Sequence, residues 1–260
     1  KSVEKKGQSL AEIVQKGARC NRKHRNLQTC IRRFWRKPGW QVKKGQNSHN
    51  SSSMWRGGFR LFRTPFWIPA LFPKRKWKGR EDTIYLTFDD GPNSKTDWLL
   101  DYLKMQDVQA TFFWTGARML EYPDMLDRAV AEGHSVGHHG YEHLPLVKCS
   151  VAEFKTDWNR SKQIVPHRLY RPPYGKISRA KANIVLQQEA IIMWSWMSYD
   201  WDHRLSVQMI LDRFERDVKG GDIVVFHEND KTVSRIEQII PAVVCIVHNK
   251  GLNFAALSKI

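Results

Sequence analysis

Cysteine is scarce. Cys20, Cys30, Cys149 and Cys245 are the only four in 260 residues, and no two form a C-x-x-C pair. That excludes a disulfide scaffold and a zinc-finger framework, and it fits a reducing compartment. Cys245 sits in the apolar run 242–247, where a buried free thiol is the expected state. Long apolar runs are missing too. Nothing approaches the roughly 18 consecutive apolar residues of a spanning helix, and the longest apolar cluster of the first 80 residues, 66–72, is interrupted by Pro69. No leader with an apolar core ahead of small residues is visible, so a cytoplasmic or membrane-surface location is expected over secretion. Acids are nearly absent from the first 80 positions, where Glu4 and Glu12 stand against 22 Lys+Arg. Methionine does not occur before Met54.

What is present belongs to a folded enzyme-sized chain. Apolar residues make up 41% and aromatics 12%, which excludes a disordered or collagen-like protein. The formal charge of +17 invites a nucleic-acid or anionic-membrane reading. Its distribution argues otherwise, because residues 81–260 hold 21 Lys+Arg and 24 Asp+Glu. The chain is a basic arm joined to a nearly neutral domain. Residues 1–53 lack apolar periodicity and are expected to be a basic extension, either disordered or upstream of a natural start at Met54. Residues 54–80 interleave eight basic residues with seven aromatics. This lead-in could lie on a membrane surface or pack on the domain that follows, and Pro65, Pro69 and Pro73 favour packing by preventing a long amphipathic helix. Phosphate contacts and base stacking are compatible with the composition. No nucleic-acid motif is present, so no specific nucleic-acid partner is expected.

From residue 81 onward, short β-branched or aromatic runs alternate with helical patterns. Strands are predicted at 83–88, 110–115, 134–137, 168–171, 190–196, 222–227 and 253–257. Helices are predicted near 95–105, 122–131, 151–164, 178–187, 206–218 and 235–248. This alternation implies an α/β fold with a parallel sheet, and a (β/α) barrel or an open doubly wound sheet both satisfy it.

In such folds chemistry gathers at the carboxyl ends of the strands. The first strand ends in Asp89-Asp90-Gly91-Pro92, and two adjacent carboxylates resist joint ionisation unless a cation or arginine neutralises one. The bland alternative is an acidic turn before a helix capped by Asn93 or Ser94. The third strand is followed by four histidines within ten residues, His134, His138, His139 and His143. Three pairings compete for a metal: His134/His138, His139/His143 and His138/His143, with residues four apart sharing one face if helical. Arg171-Pro172-Pro173-Tyr174 closes the fourth strand on a stiff turn, and Arg171 could neutralise an aspartate. Asp200-Trp201 follows the fifth strand, and His227 closes the sixth in a position suited to proton transfer.

This ordered set of motifs, 87–92, 139–143, 171–175, 194–201 and 223–227, resembles the polysaccharide deacetylases of carbohydrate esterase family 4 (the NodB homology domain) over about residues 77–260. The resemblance implies a distorted (β/α) barrel with about seven parallel strands, and makes 81–260 a deacetylase catalytic domain. It implies a hydrolase that removes N-acetyl groups from N-acetylglucosamine-containing glycans. It also implies a divalent metal, usually Zn2+ with Co2+ or another ion as substitutes, held by Asp90, His139 and His143. By the same resemblance Asp89 is the base that deprotonates the attacking water, Arg171 orients it, and His227 is the acid that protonates the leaving amine. Asp200 tunes His227, the Tyr174 backbone N–H binds the oxyanion, and Trp201 and Pro173 line the substrate groove. An O-acetyl esterase or another amidase on the same site is the alternative, and a non-catalytic glycan-binding protein a weaker one. Three positions depart from the family pattern. Gly140 replaces a common Ser or Thr, His138 stands where Asn is common and adds a spare potential ligand, and Val225 replaces a frequent Leu.

Overall fold

The computed structural model describes residues 60–257. The expected extension at 1–53 and the start of the lead-in at 54–59 lie outside the described residues, as do Cys20, Cys30 and Met54. In chain order the elements are α1 Trp67–Leu71, β1 Thr83–Asp89, α2 Thr96–Met105, β2 Thr111–Trp114, α3 Gly116–Glu121, α4 Pro123–Ala131, β3 Ser135–His138 and α5 Val151–Lys162. They continue with β4 Leu169–Tyr170, a 3₁₀ turn Pro173–Gly175, α6 Arg179–Val185, β5 Ala190–Ile191, β6 Trp196–Met197, α7 Val207–Asp217, β7 Ile223–His227, α8 Val233–Asn249 and β8 Asn253–Phe254.

Every strand pairing is parallel, in the order β5-β4-β3-β2-β1-β7-β6, with β8 added to the start of β1. The sheet curls into the distorted barrel expected from the sequence. β1 is its centre. All seven of its residues are buried, as a strand covered on both faces requires. Phe88 stacks on Phe112 at 5.4 Å and lies 6.1 Å from Phe226, so three neighbouring strands share one aromatic layer. The register sets Asp89 beside His227, which brings two of the predicted strand ends into one place.

The strand predicted at 190–196 is two strands. Residues 190–191 pair with β4 and residues 196–197 with β7, at opposite ends of the sheet. The chain between them crosses the barrel's open seam, and part of its backbone bonding goes to the lead-in. Lys76 N–H donates to Ile191 and Met193 N–H donates back to Lys76, at 2.9 and 2.8 Å. On the other side Thr64 N–H donates to Ser195 and Met197 N–H to Phe62, at 2.9 and 2.7 Å. The lead-in therefore stitches β5 to β6. Phe62 enters the main core against Trp196 and Tyr199, and Arg63 reaches the buried Asp222 carboxylate at 2.6 Å. The last predicted strand shortens to 253–254, and α1 and α3 were not anticipated by periodicity, being only five and six residues long. Among the free cysteines, Cys245 is buried in α8 as expected.

Phe62→Ala is expected to destabilise the fold by about 3 kcal/mol through lost burial and a cavity, whereas Phe66→Ala, 91% exposed, should stay within about 0.5 kcal/mol. Urea unfolding of the two variants checks both.

Candidate metal centre and active site

Asp90 follows the end of β1 in a left-handed backbone conformation, φ 77°, which swings its carboxylate over the carboxyl end of the sheet. There it meets two histidines from the loop after β3. His143 Nε2 lies 3.4 Å and His139 Nε2 3.8 Å from Asp90 Oδ1. The three donor atoms all fall within 4.8 Å of one another. The two histidines are brought together by a loop, not by the helical spacing considered from sequence. Gly140 at φ 80° and His143 at φ 55° turn it back on itself.

These residues fit a divalent ion. Asp90 Oδ1 is buried with no hydrogen-bond partner, while Oδ2 accepts from Asn229 Nδ2 at 2.7 Å. His139 Nδ1 lies 2.7 Å from the Arg171 carbonyl, an acceptor only, so Nδ1 carries the proton and Nε2 offers its lone pair to the cluster. Burial pushes both histidines down to about 4, which keeps them neutral and ready to ligate. Burial opposes ionisation of Asp90, yet the positive charge of nearby His227, ahead of His139 and His143, holds its carboxyl below the usual range. The 3.4 and 3.8 Å from Asp90 Oδ1 to the two imidazole nitrogens are near the ~3.3 Å that separates donors on a tetrahedral zinc with bonds of about 2 Å.

Asp89, the last residue of β1, is buried with Arg171, whose side chain is wholly inaccessible. The guanidinium donates to Asp89 Oδ1 and Thr87 Oγ1, both at 2.6 Å, and approaches the carbonyls of Ile192 and Met193 at 3.4 and 3.3 Å. It also lies 4.1 Å over the Phe113 ring. Burial raises the Asp89 carboxyl, and Arg171 offsets only part of that rise. Asp89 Oδ2, not engaged by Arg171, sits 4.0 Å from His139 Nε2 at the edge of the cluster.

His227 faces this pair from β7. Asp200 grips it twice, accepting from the His227 backbone N–H and from ring Nδ1, both at 2.8 Å. Ser198 Oγ donates to the same carboxylate, and Arg235 ties the Asp200 carbonyl at 2.9 Å. Burial works against a charged ring, but Asp200 outweighs it and His227 is raised to about 9. Trp201 stands edge-on to the imidazole at 4.4 Å.

Tyr174 sits at the tip of the stiff turn in a left-handed conformation, φ 57°, with its ring 4.6 Å from that of His143. Pro173 is buried in the same turn, close to Gly140. His138 does not join the cluster. Its Nε2 is 3.1 Å from the buried Glu189 carboxylate, which also accepts from Trp158 at 2.5 Å. His134 accepts the Ala110 N–H on the far side of β2. Of the three histidine pairings, only His139/His143 meets the aspartate.

One contributor was missed from sequence. Asp157 on α5 is buried and accepts the backbone N–H groups of Tyr141 and Glu142 at 2.9 and 2.8 Å, and Ser161 holds the Gly140 carbonyl at 3.1 Å. A Cβ at position 140 would come within 2.8 Å of the Asp157 carboxylate, so glycine there and aspartate here belong together. The signal was available. Phe154, Asp157, Trp158 and Ser161 form the buried stripe of α5, and Asp157 is its one acid.

The family model for polysaccharide deacetylases matches residues 76–190. A peptidoglycan-N-acetylglucosamine deacetylase of Bacillus cereus is 32% identical over 70% of this chain and 71% of its own length. PgdA of Listeria monocytogenes, a peptidoglycan-N-acetylglucosamine deacetylase, is 34% identical over 64% of this chain, which spans only 36% of that relative. Among solved structures, the Bc1960 peptidoglycan N-acetylglucosamine deacetylase superposes with a TM-score of 0.64 at 28% identity, covering 75% of this chain and 95% of that one.

Arg171→Met should strand the buried Asp89 charge and cost about 3–5 kcal/mol. Adding Asp89→Asn should recover a large part of that loss, a coupling that equilibrium denaturation of the single and double variants reads directly.

Proposed function

The chain belongs to the polysaccharide deacetylase family, and from that membership we propose that it is a metal-dependent hydrolase removing N-acetyl groups from N-acetylglucosamine-containing glycans. The observation that carries this reading is the convergence of three groups on one rim: the Asp90–His139–His143 cluster, the Asp89–Arg171 pair on one flank and the His227–Asp200 pair on the other.

Asp90, His139 and His143 would hold the ion, with zinc favoured by the two neutral imidazoles and one carboxylate. When bound, a divalent ion supplies a Lewis acid that polarises the acetamide carbonyl and acidifies a water. The remaining work falls to the protein. Asp89, oriented through Oδ1 by Arg171, accepts the proton of the attacking water on Oδ2. The Tyr174 backbone N–H, set by the Pro172-Pro173 turn, would donate to the oxygen that becomes negative as the carbonyl turns tetrahedral. A sugar amine leaves poorly as an anion, so the C–N bond needs a proton delivered to nitrogen as it breaks. His227 supplies it from Nε2, because Asp200 occupies Nδ1 and favours the protonated ring. Trp201 would form the wall beside the leaving sugar. Base and acid thus stand on opposite sides of the carbonyl. The environments, not the residue types, divide the labour among three aspartates.

Asp157 supports the cluster by fixing the loop that carries both histidines. Asp157→Ala is expected to weaken zinc binding about 10–100-fold, read by competition with a fluorescent chelator.

Acetate release from N-acetylated chitooligosaccharides should vanish with a chelator and return with zinc. Asp89→Asn should lower turnover about 10²–10⁴-fold; full activity in that variant would remove Asp89 from the role of base. His227→Ala should cost an amide substrate much more than an O-acetyl ester, since esters expel a better leaving group.

A further inference from the structure

We propose that α1 and the groove behind it form a docking surface for an anionic phospholipid leaflet, bordered by continuations of the loops that carry the candidate metal cluster. Large apolar side chains are rarely left clustered in water. Here six of the eleven exposed large apolar residues among the described ones belong to this region: Leu61, Phe66, Trp67, Leu71, Phe72 and Val147. Phe66 is 91% and Leu71 63% exposed. Trp67 and Leu71, four apart, share one face of α1. Pro65, Ile68 and Phe72 turn toward a groove of about 500 Å³ floored by Trp77, Met193 and Trp194.

Charge selects the occupant. The four segments that form the groove, 61–77, 144–149, 175–178 and 193–194, contain no Asp or Glu. Lys74, Lys76, Lys148 and Lys176 lie on them and are exposed. A rim of lysines around exposed aromatics suits headgroup phosphates outside and acyl chains within, the arrangement of an interfacial anchor. Of the hydrogen-bonding side chains that line the groove, Thr64, Arg75 and Trp77 already donate to backbone carbonyls, which leaves a polar sugar chain fewer partners than the lining suggests.

Position gives the surface its meaning. The segments 144–149 and 175–178 follow His143 and Tyr174 in the chain, so continuations of the loops that carry the cluster border the groove. A leaflet seated on α1 would lie beside the site. Resting on the deacetylase reading above, this makes the substrate class a glycan held at a membrane surface.

The test is flotation of the full chain with vesicles, measured without turnover so that it stands apart from the deacetylase reading. The wild type should float with phosphatidylcholine vesicles containing phosphatidylglycerol, and at least ten-fold less with phosphatidylcholine alone. The variant Phe66→Ser/Trp67→Ser/Leu71→Ser changes only exposed side chains and should float at least ten-fold less with the anionic vesicles. Its melting temperature and its acetate release from soluble chitooligosaccharides should match the wild type. Equal flotation of variant and wild type would overturn the proposal by assigning attachment to the basic residues 1–53. No flotation of the wild type, or quenching of its tryptophan emission by chitohexaose but not by vesicles, would overturn it as well.

Discussion

A guanidinium sealed inside a barrel is the constraint around which this molecule is arranged. Arg171 reaches no solvent, so its charge is tolerable only because Asp89 lies 2.6 Å away and Thr87 and two backbone carbonyls take up the remaining donors. Those partners come from β1 and from the segment that crosses the seam. Its backbone carbonyl fixes the proton on His139. One residue thereby sets the ionisation of a candidate base, the tautomer of a candidate ligand and the position of the barrel's irregular edge. Such a pair has two stable alternatives, both charges present or both absent, and a chain that retains it retains a carboxylate kept from water without being neutralised by protonation.

Three aspartates near the rim show how identical side chains acquire different characters. Asp89 is buried beside a fixed cation and its carboxyl is raised. Asp90 is lowered chiefly by the charge of His227, in spite of its own burial. Asp200 is fully buried but satisfied by Ser198 and by two donors of His227. Neighbours decide each case, and those neighbours come from strand ends far apart in sequence that the curled sheet brings together.

Much of this was legible beforehand. β1, β2, β3 and β7 followed from short apolar runs ending in polar residues, and the longer helices from their periodicity. The Asp89-Asp90 pair, Arg171 and His227 were legible because each closes a strand, where side chains turn from the core to the rim. What escaped was set by tertiary contacts. The run 190–196 reads as one strand, since nothing local says that its two ends pair with opposite edges. His138 looked like a ligand because its partner, Glu189, is 51 residues away. Asp157 was hidden within a helical stripe whose pattern announces burial without saying that the buried acid faces backbone N–H groups.

The stitched seam carries a consequence for where this domain begins. The family match opens at residue 76, but the backbone bonds that cover the edge of β6 come from Phe62 and Thr64. A chain cut at the family boundary would keep the candidate catalytic side chains and lose its seal. It would expose an unpaired strand edge flanked by Trp196 and Trp194, the kind of template on which copies of a protein join edge to edge. Solubility and chemistry would then be governed by different stretches of sequence, with the former resting on a segment that contributes no group to the site.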